Sequence, residues 1–360
     1  MSSSPVALED IAKSLGIAVS TVSRALRELP GIHPATRSRI IHQAEAMGYI
    51  APRKRKGETP HPRNILLLTI GADGAPPGYL EGMSRVAPSF NFSLQSHVSS
   101  LEDSWKILDP KYQPPSFKMG LVAGIILIYK WPDEVVEALS RKCPTISIVL
   151  HYPELPIDVV GIDHHSGMFP LVRHLQQTGH EKIGFFGLRP NISWVRSRFA
   201  AYAEALVAFG LPVDFDNVVS LRNDKSVVTF PLLEEEAFAK VLSKIDQGVR
   251  AWVCCNDVCG NSLTAGLIKR GIRIPEDVAV TGFHHRQYPW ADLPQLTTTE
   301  VRDDLIGEAA MRRMAYRLEH PTEIHRLILM PCEFSQGETT LKPADAAGKP
   351  ADVARTPVLS

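Results

Sequence analysis

The feature that most constrains this chain is the stretch from Val6 to Leu26, VALEDIAKSLGIAVSTVSRAL, in which two short amphipathic runs meet at Gly16. Leu8, Ile11, Ala12 and Leu15 recur at helical spacing, with Glu9, Asp10 and Lys13 between them. After Ile17, the side chains of Val22, Ala25 and Leu26 fall on one face of a second run, leaving Val19, Ser20, Thr21, Ser23 and Arg24 for the others. Neither run is long enough to be stable alone, so the pattern predicts two helices folded on each other across a glycine turn. A helix, a tight turn and a second short helix is the helix-turn-helix plan, whose second helix lies in the major groove of DNA. Small polar side chains and one arginine fit close to base edges and phosphates. The same spacing also suits a generic helical hairpin.

Residues 30–50 continue this unit. Pro34 sits where a helix can begin, and Ile40, Ile41, Ala44 and Met47 form a stripe that would brace the first two helices. Arg37 and Arg39 read either as phosphate contacts or as a solvated face. The chain carries no net charge, so affinity for nucleic acid must come from local charge. The first sixty residues hold nine Lys/Arg against five Asp/Glu, and the remainder is acidic by the same margin. That is the charge distribution of a DNA-binding head on a neutral-to-acidic sensor.

The residues themselves go further than their pattern. Asp10-Ile11-Ala12, Gly16-Ile17, Ser20-Thr21-Val22-Ser23-Arg24-Ala25-Leu26, Thr36-Arg37 and Met47-Gly48-Tyr49 closely resemble the headpiece of the LacI/GalR family of bacterial transcription regulators. The resemblance implies that Val19, Ser20 and Arg24 read bases while Thr21 and Ser23 hold phosphates. It also places Ala18 where relatives often carry a helix-capping serine. Residues 51–63, APRKRKGETPHPR, depart from the family, whose members have a short hinge helix there that drives an apolar wedge into the minor groove. Here the wedge position falls at Glu58, and Pro52, Gly57, Pro60 and Pro62 oppose a helix. The run Arg53-Lys54-Arg55-Lys56 is expected to track phosphates as an extended arm, or to serve as a charged linker.

From Asn64 onward, short β-rich runs alternate with helical ones. Strands are expected at 65–69, 124–129, 145–148, 182–186, 251–255 and 278–281, and helices at 133–141, 167–178, 196–209, 233–245 and 258–270. Near-continuous apolar strands with helical crossovers predict doubly wound parallel sheets, whose ligands bind at the carboxyl ends of the strands. The resemblance extends here through Val160-Gly161-Ile162-Asp163, Gly179-His180-Glu181-Lys182-Ile183, Asn256-Asp257, the stretch Gly271 to Val280, and Leu296-Thr297-Thr298.

The fold class implied is therefore an all-α helix-turn-helix headpiece plus an α/β periplasmic-binding-protein-like core of two doubly wound parallel-sheet lobes. The boundaries expected are a headpiece over 1–50, a basic Pro-rich hinge over 51–63 and a two-lobed core over 64–337. Lobe 1 takes about 64–180 and 301–326, lobe 2 about 181–300 and 327–337, and residues 338–360 form a disordered tail poor in apolar side chains.

For an effector, the resemblance matches the family's pocket arginine to Arg198, three residues before Ala201-Tyr202, and places Asp163, Asn256 and Asp257 along the cleft. A guanidinium suits vicinal hydroxyls or a carboxylate through two parallel hydrogen bonds. Tyr79 and Phe230 are candidate apolar walls, with core packing as the alternative. Where relatives read Gly-aromatic-Asp-Asp, this chain reads Gly282-Phe283-His284-His285, replacing a bidentate acceptor with an imidazole at His284. That favours an acidic metabolite over the usual sugar, or no ligand. His164 and His165 form a second histidine pair.

Five cysteines, an odd number, fit a reducing compartment. Cys254 and Cys255 end a strand-like run and Cys259 opens a helix, without the four-ligand spacing of a zinc site, so no metal or cofactor is expected. No apolar run approaches the ~18 residues of a membrane span, and the first thirty residues lack a signal-peptide profile, which predicts a cytoplasmic protein. No P-loop, nucleophile elbow or metal-ligand motif points to an enzyme. The expected partners are a double-stranded DNA operator, a small effector (carbohydrate or acidic metabolite) and a second copy of the chain. Repression is the family's usual outcome. The competing readings are a DNA-binding regulator whose core only dimerises and, more remotely, an enzyme on the same scaffold.

Overall fold

The structure, a computed structural model, describes residues 6–26, 31–47, 49, 62–71, 74–221, 234–284 and 292–342. Its headpiece is three helices, α1 (Leu8–Leu15), α2 (Val19–Leu26) and α3 (Pro34–Ala46). Asp10 accepts a 2.9 Å bond from the Ala7 backbone N–H at the start of α1. Gly16, at φ 65°, ends that helix in the left-handed conformation that glycine tolerates and returns its N–H to the Ala12 carbonyl. The core beneath is small: Ile11, Ala12, Val22, Ala25, Ile40 and Ala44 are buried, ringed by Leu8, Leu15, Leu26 and Met47 among others. Ile41, expected in this stripe, is instead exposed. The inward face of α3 is already filled by Ile40 and Ala44, and Ile41 lies about 100° away around the helix.

The chain divides into two compact units, Met1–Val160 with Asp304–Leu327, and Gly161–Asp303 with Ile328–Ser360. After the headpiece, the first unit runs β1 (Arg63–Ile70), α4 (Pro77–Val86), β2 (Phe92–Ser99), α5 (Pro115–Lys118), β3 (Val122–Ile128), α6 (Asp133–Ser140), β4 (Thr145–Ile148) and β5 (Asp158–Ile162). Its strands lie in the order β2-β1-β3-β4-β5, all parallel, with β11 (Leu327–Met330) beside β5. Ile65 to Leu68 and Ile125 to Ile128 are buried throughout, as strands covered on both faces must be. Leu66, Leu68, Ile125, Leu127, Trp131 and Tyr152 share one core.

The second unit contains α7 (His164–Gln177), β6 (Ile183–Leu188), α8 (Ser193–Ala208), β7 (Val218–Ser220), α9 (Glu235–Asp246), β8 (Ala251–Cys254), α10 (Asp257–Ile268), β9 (Ala279–Thr281) and β10 (Thr298–Val301). The parallel order is β7-β6-β8-β9, the same 2-1-3-4 sequence as the first sheet. β10 pairs antiparallel with β12 (Cys332–Ser335), and α11 (Asp303–Glu319) belongs almost wholly to the first unit. The first crossing between units falls after Val160 rather than near His180, because α7 packs on α8, β10 and β12.

Within the first unit, α11 carries a buried ion cluster. Arg313 and Arg317 donate to Asp158 at 2.9 and 2.7 Å, and the Arg326 backbone N–H adds a third bond at 2.8 Å. Burial alone would raise the Asp158 carboxyl; the two guanidiniums and the N–H outweigh it and hold the group below its usual range.

The first residues of the expected tail are structured. Thr339 exchanges backbone and hydroxyl bonds with Val280, and Thr340 Oγ1 meets His174 Nε2 at 2.7 Å and Thr297 Oγ1 at 2.8 Å. Hydrogen bonds rather than apolar side chains anchor this segment, so composition misled there. Residues 343–360 lie outside the described part. Among the described residues, no helix is long and apolar enough to cross a membrane.

Candidate nucleic-acid interface and effector site

On α2, Val22 and Ala25 face the headpiece core, which turns Val19, Ser20 and Arg24 outward as exposed residues, with Thr21 and Ser23 half-buried beside them. The candidate base readers thus share one side of a short helix whose other side is fixed by packing. A Cβ added at Gly31 would lie 3.1 Å from an Arg24 guanidinium nitrogen, so this side chain rests along the loop before α3. Ala18 precedes α2 with its carbonyl accepting from Thr21 and Val22, and it offers no side-chain acceptor. On α3, Arg37 is half-buried and Arg39 exposed. Arg53, Lys54, Arg55 and Lys56 lie outside the described residues.

The second candidate site is in the second unit, where β6 and β8 are neighbours and the connections leave to opposite sides, a topological switch point. Arg198 of α8 is buried there. Its Nη1 donates to the Cys255 carbonyl at 2.7 Å, and its guanidinium carbon lies 3.9 Å from the Phe283 ring centroid and 4.6 Å from that of Trp194. Both rings lie within cation–π range of the guanidinium.

The other expected residues have mostly structural bonds. Asp163 caps α7, accepting from the His165 and Ser166 backbone N–H groups. Asn256 caps α10 through Cys259 N–H at 2.8 Å. Asp257, buried, accepts from Thr298 Oγ1 at 2.6 Å. His284 sits at φ 110°, donates its N–H to the Thr299 carbonyl, and places Nε2 3.2 Å from both carboxylate oxygens of Asp303. Tyr79 is buried in α4 of the first unit, its backbone carbonyl against Gly307 of α11. Phe230 and His285 lie outside the described residues.

Three groups beside Arg198 went unremarked in the sequence or were read differently. Trp194 precedes it by one helical turn. His164, 6.0 Å ring to ring from Phe283, is pushed down to about 3, chiefly by burial and then by the charge of Arg198. Arg189, immediately after β6, is only 2% exposed, and none of its three guanidinium nitrogens has a hydrogen-bond partner among the described residues. A lone arginine in Leu188-Arg189-Pro190 looks like a loop residue; only the fold reveals its burial. His165 faces Glu204 at 2.6 Å, and among the described residues no three His, Cys, Asp or Glu gather as a metal donor set. Cys255 and Cys259 are both buried with sulfurs 3.5 Å apart.

Two family descriptions match the chain: bacterial regulatory proteins of the lacI family over residues 7–51, and the periplasmic binding protein-like domain over residues 172–340. The chain belongs to the LacI family. Relatives include the HTH-type transcriptional regulator DegA of Bacillus subtilis (strain 168), 24% identical over 80% of this chain and 84% of that one. The HTH-type transcriptional repressor CytR of Escherichia coli (strain K12) is 25% identical over 91% and 94%. Among solved structures, the complex of transcriptional regulator CelR with cellobiose covers 93% of this chain and 99% of that one at a TM-score of 0.62 and 21% identity. The lac repressor dimer bound to operator and the anti-inducer ONPF covers 94% and 100% at 0.59 and 20%. As a LacI-family member this protein is a DNA-binding transcriptional regulator, built as a helical headpiece on an α/β core with parallel sheets.

Proposed function

We propose that this protein is a cytoplasmic repressor that binds a pseudo-palindromic operator as a homodimer and releases or tightens its grip when a small effector occupies the second unit. The headpiece would occupy residues 1–50, joined by the basic stretch 51–63 to the core. The observation that carries the DNA half is α2: its apolar face is buried and Val19, Ser20 and Arg24 project from the other. Arg24 would donate to base edges, Thr21 and Ser23 to phosphates, and Arg37 with the 53–56 run would add charge along the backbone. Two such helices in successive major grooves require a two-fold symmetric site.

The effector half rests on Arg198, buried and within cation–π range of Trp194 and Phe283 at the switch point of the second sheet. The cellobiose complex of CelR and the operator complex of the lac repressor support both halves by similarity. A ligand that prefers one state of the core must shift operator affinity, and operator must shift ligand affinity by the same factor. A core that only dimerises is the second reading, favoured by Asp163, Asn256 and Asp257 spending oxygens on internal bonds.

Selection of bound sequences from a random duplex pool tests the DNA half. A two-fold symmetric motif that Arg24→Ala fails to enrich is expected. Binding that falls with salt but enriches nothing would leave a nonspecific DNA binder.

A further inference from the structure

We propose that the effector of this protein carries an anionic group, a carboxylate or a phosphate, and that Arg189 and Arg198 together bind it at the carboxyl ends of β6 and β8. The proposal rests on the reading of the second unit as an effector site, and it names the ligand's chemistry.

Arg189 carries the argument. A guanidinium presents five N–H donors and keeps its charge at any pH a protein meets. Removed from water, it is costly unless acceptors replace the water. Yet Arg189 is 2% exposed and its three nitrogens find no hydrogen-bond acceptor among the described residues. Cys255 ties it to Arg198: that residue's carbonyl accepts from Arg198, and its thiol feels the charge of both arginines. The switch point therefore brings together two buried cations.

Three carboxylates of the second unit accept other hydrogen bonds. Asp163 caps α7, Asp257 holds Thr298, and Asp303 faces His284. Two further titratable groups lie close: the Cys255 thiol, lowered chiefly by its hydrogen bond with Cys259 and also by the two arginines, and His164, kept neutral by burial and by Arg198. A neutral sugar would supply only dipoles to Arg189; a carboxylate or phosphate supplies the opposite charge and matches the planar fork of an arginine.

The probe is inorganic phosphate at about 20 mM, compared with sodium chloride of equal ionic strength, on the full-length protein. Thermal unfolding of the native protein should shift upward by about 2–4 °C. Arg189→Met should show no phosphate-specific shift, and Arg189→Lys, which keeps charge but loses the fork, should keep only part of it. No shift in the native protein, or the same shift in Arg189→Met, overturns the proposal; internal neutralisation of Arg189 by an ionised Cys255 would give the first result. Ribose, sucrose and cellobiose run alongside keep this failure apart from that of the effector reading. A neutral sugar that stabilises native protein and Arg189→Met alike, with phosphate inert, preserves an effector site and removes the anion. Phosphate binding through Arg189 with operator affinity unchanged keeps the anion site and removes its role as an effector site.

Discussion

Among the described residues each unit of this protein buries two arginines, and the two pairs are arranged in opposite ways. In the first, Arg313 and Arg317 close on Asp158, which also receives the Arg326 N–H, so the charges find bonded partners inside the fold. In the second, Arg198 donates to one carbonyl and lies over two aromatic rings, whereas Arg189 has no hydrogen-bond acceptor among the described residues. A buried cation with its carboxylate in place ties elements together; one whose nitrogens find no acceptor, as at Arg189, is a site prepared for something else. The first pair joins the long helix α11 to β5, and the second sits at a strand-end switch point.

The largest effect should come from breaking the first pair's balance. Asp158→Asn leaves two guanidiniums facing a neutral amide and should cost about 3–5 kcal/mol, read as a lower unfolding midpoint in urea. Acid should act through the same group. Its folded carboxyl titrates below its unfolded value, so its stabilisation is complete above the unfolded pKa and disappears as pH falls through the folded one. Asp158→Asn should therefore flatten the acid limb of a stability–pH curve.

Gly167→Ala probes the support of the second pair. A Cβ there would lie 2.4 Å from the Phe283 ring that the Arg198 guanidinium lies over. Overpacking should cost about 1–3 kcal/mol and weaken any ligand response, measured by unfolding and by titration.

His164 tests the same region through pH. Its folded value of about 3 lies below the unfolded one, so stability is lost as pH falls through the unfolded pKa and continues to fall toward the folded one. Between pH 7 and 5.5 the loss from this group should be about 1 kcal/mol, and His164→Phe should remove it.

Ala18→Ser lies outside both pairs and serves as the reference. A hydroxyl at the start of α2 should add about 0.5–1 kcal/mol to the headpiece, visible as slower amide exchange in α2, with no change in either core unit.

The same contrast explains what could be read from the chain beforehand. Ile11, Ala12, Val22, Ala25, Ile40 and Ala44 are apolar at helical spacing, and all six are the headpiece core. The strand Thr145–Ile148 is apolar enough to be found to the residue. By contrast, Ser96 breaks the apolar alternation of β2 at the sheet edge, and α11 hides Arg313 and Arg317 in its buried face, so apolar periodicity finds neither. Within the candidate site, Arg198 was singled out through the family resemblance, by its place three residues before Ala201-Tyr202. Arg189 was not, because burial of a charge depends on what surrounds it in space, and no local pattern encodes that.

The most direct test of the difference between the two pairs is the unfolding stability of Arg317→Met beside Arg189→Met, both in ligand-free buffer. Losing Arg317 should lower stability by about 3–5 kcal/mol, because the buried Asp158 loses a partner. Losing Arg189 should leave stability unchanged or raise it, because an uncompensated buried charge is gone. A loss at Arg189 as large as that at Arg317 would contradict the account and make both pairs equally structural.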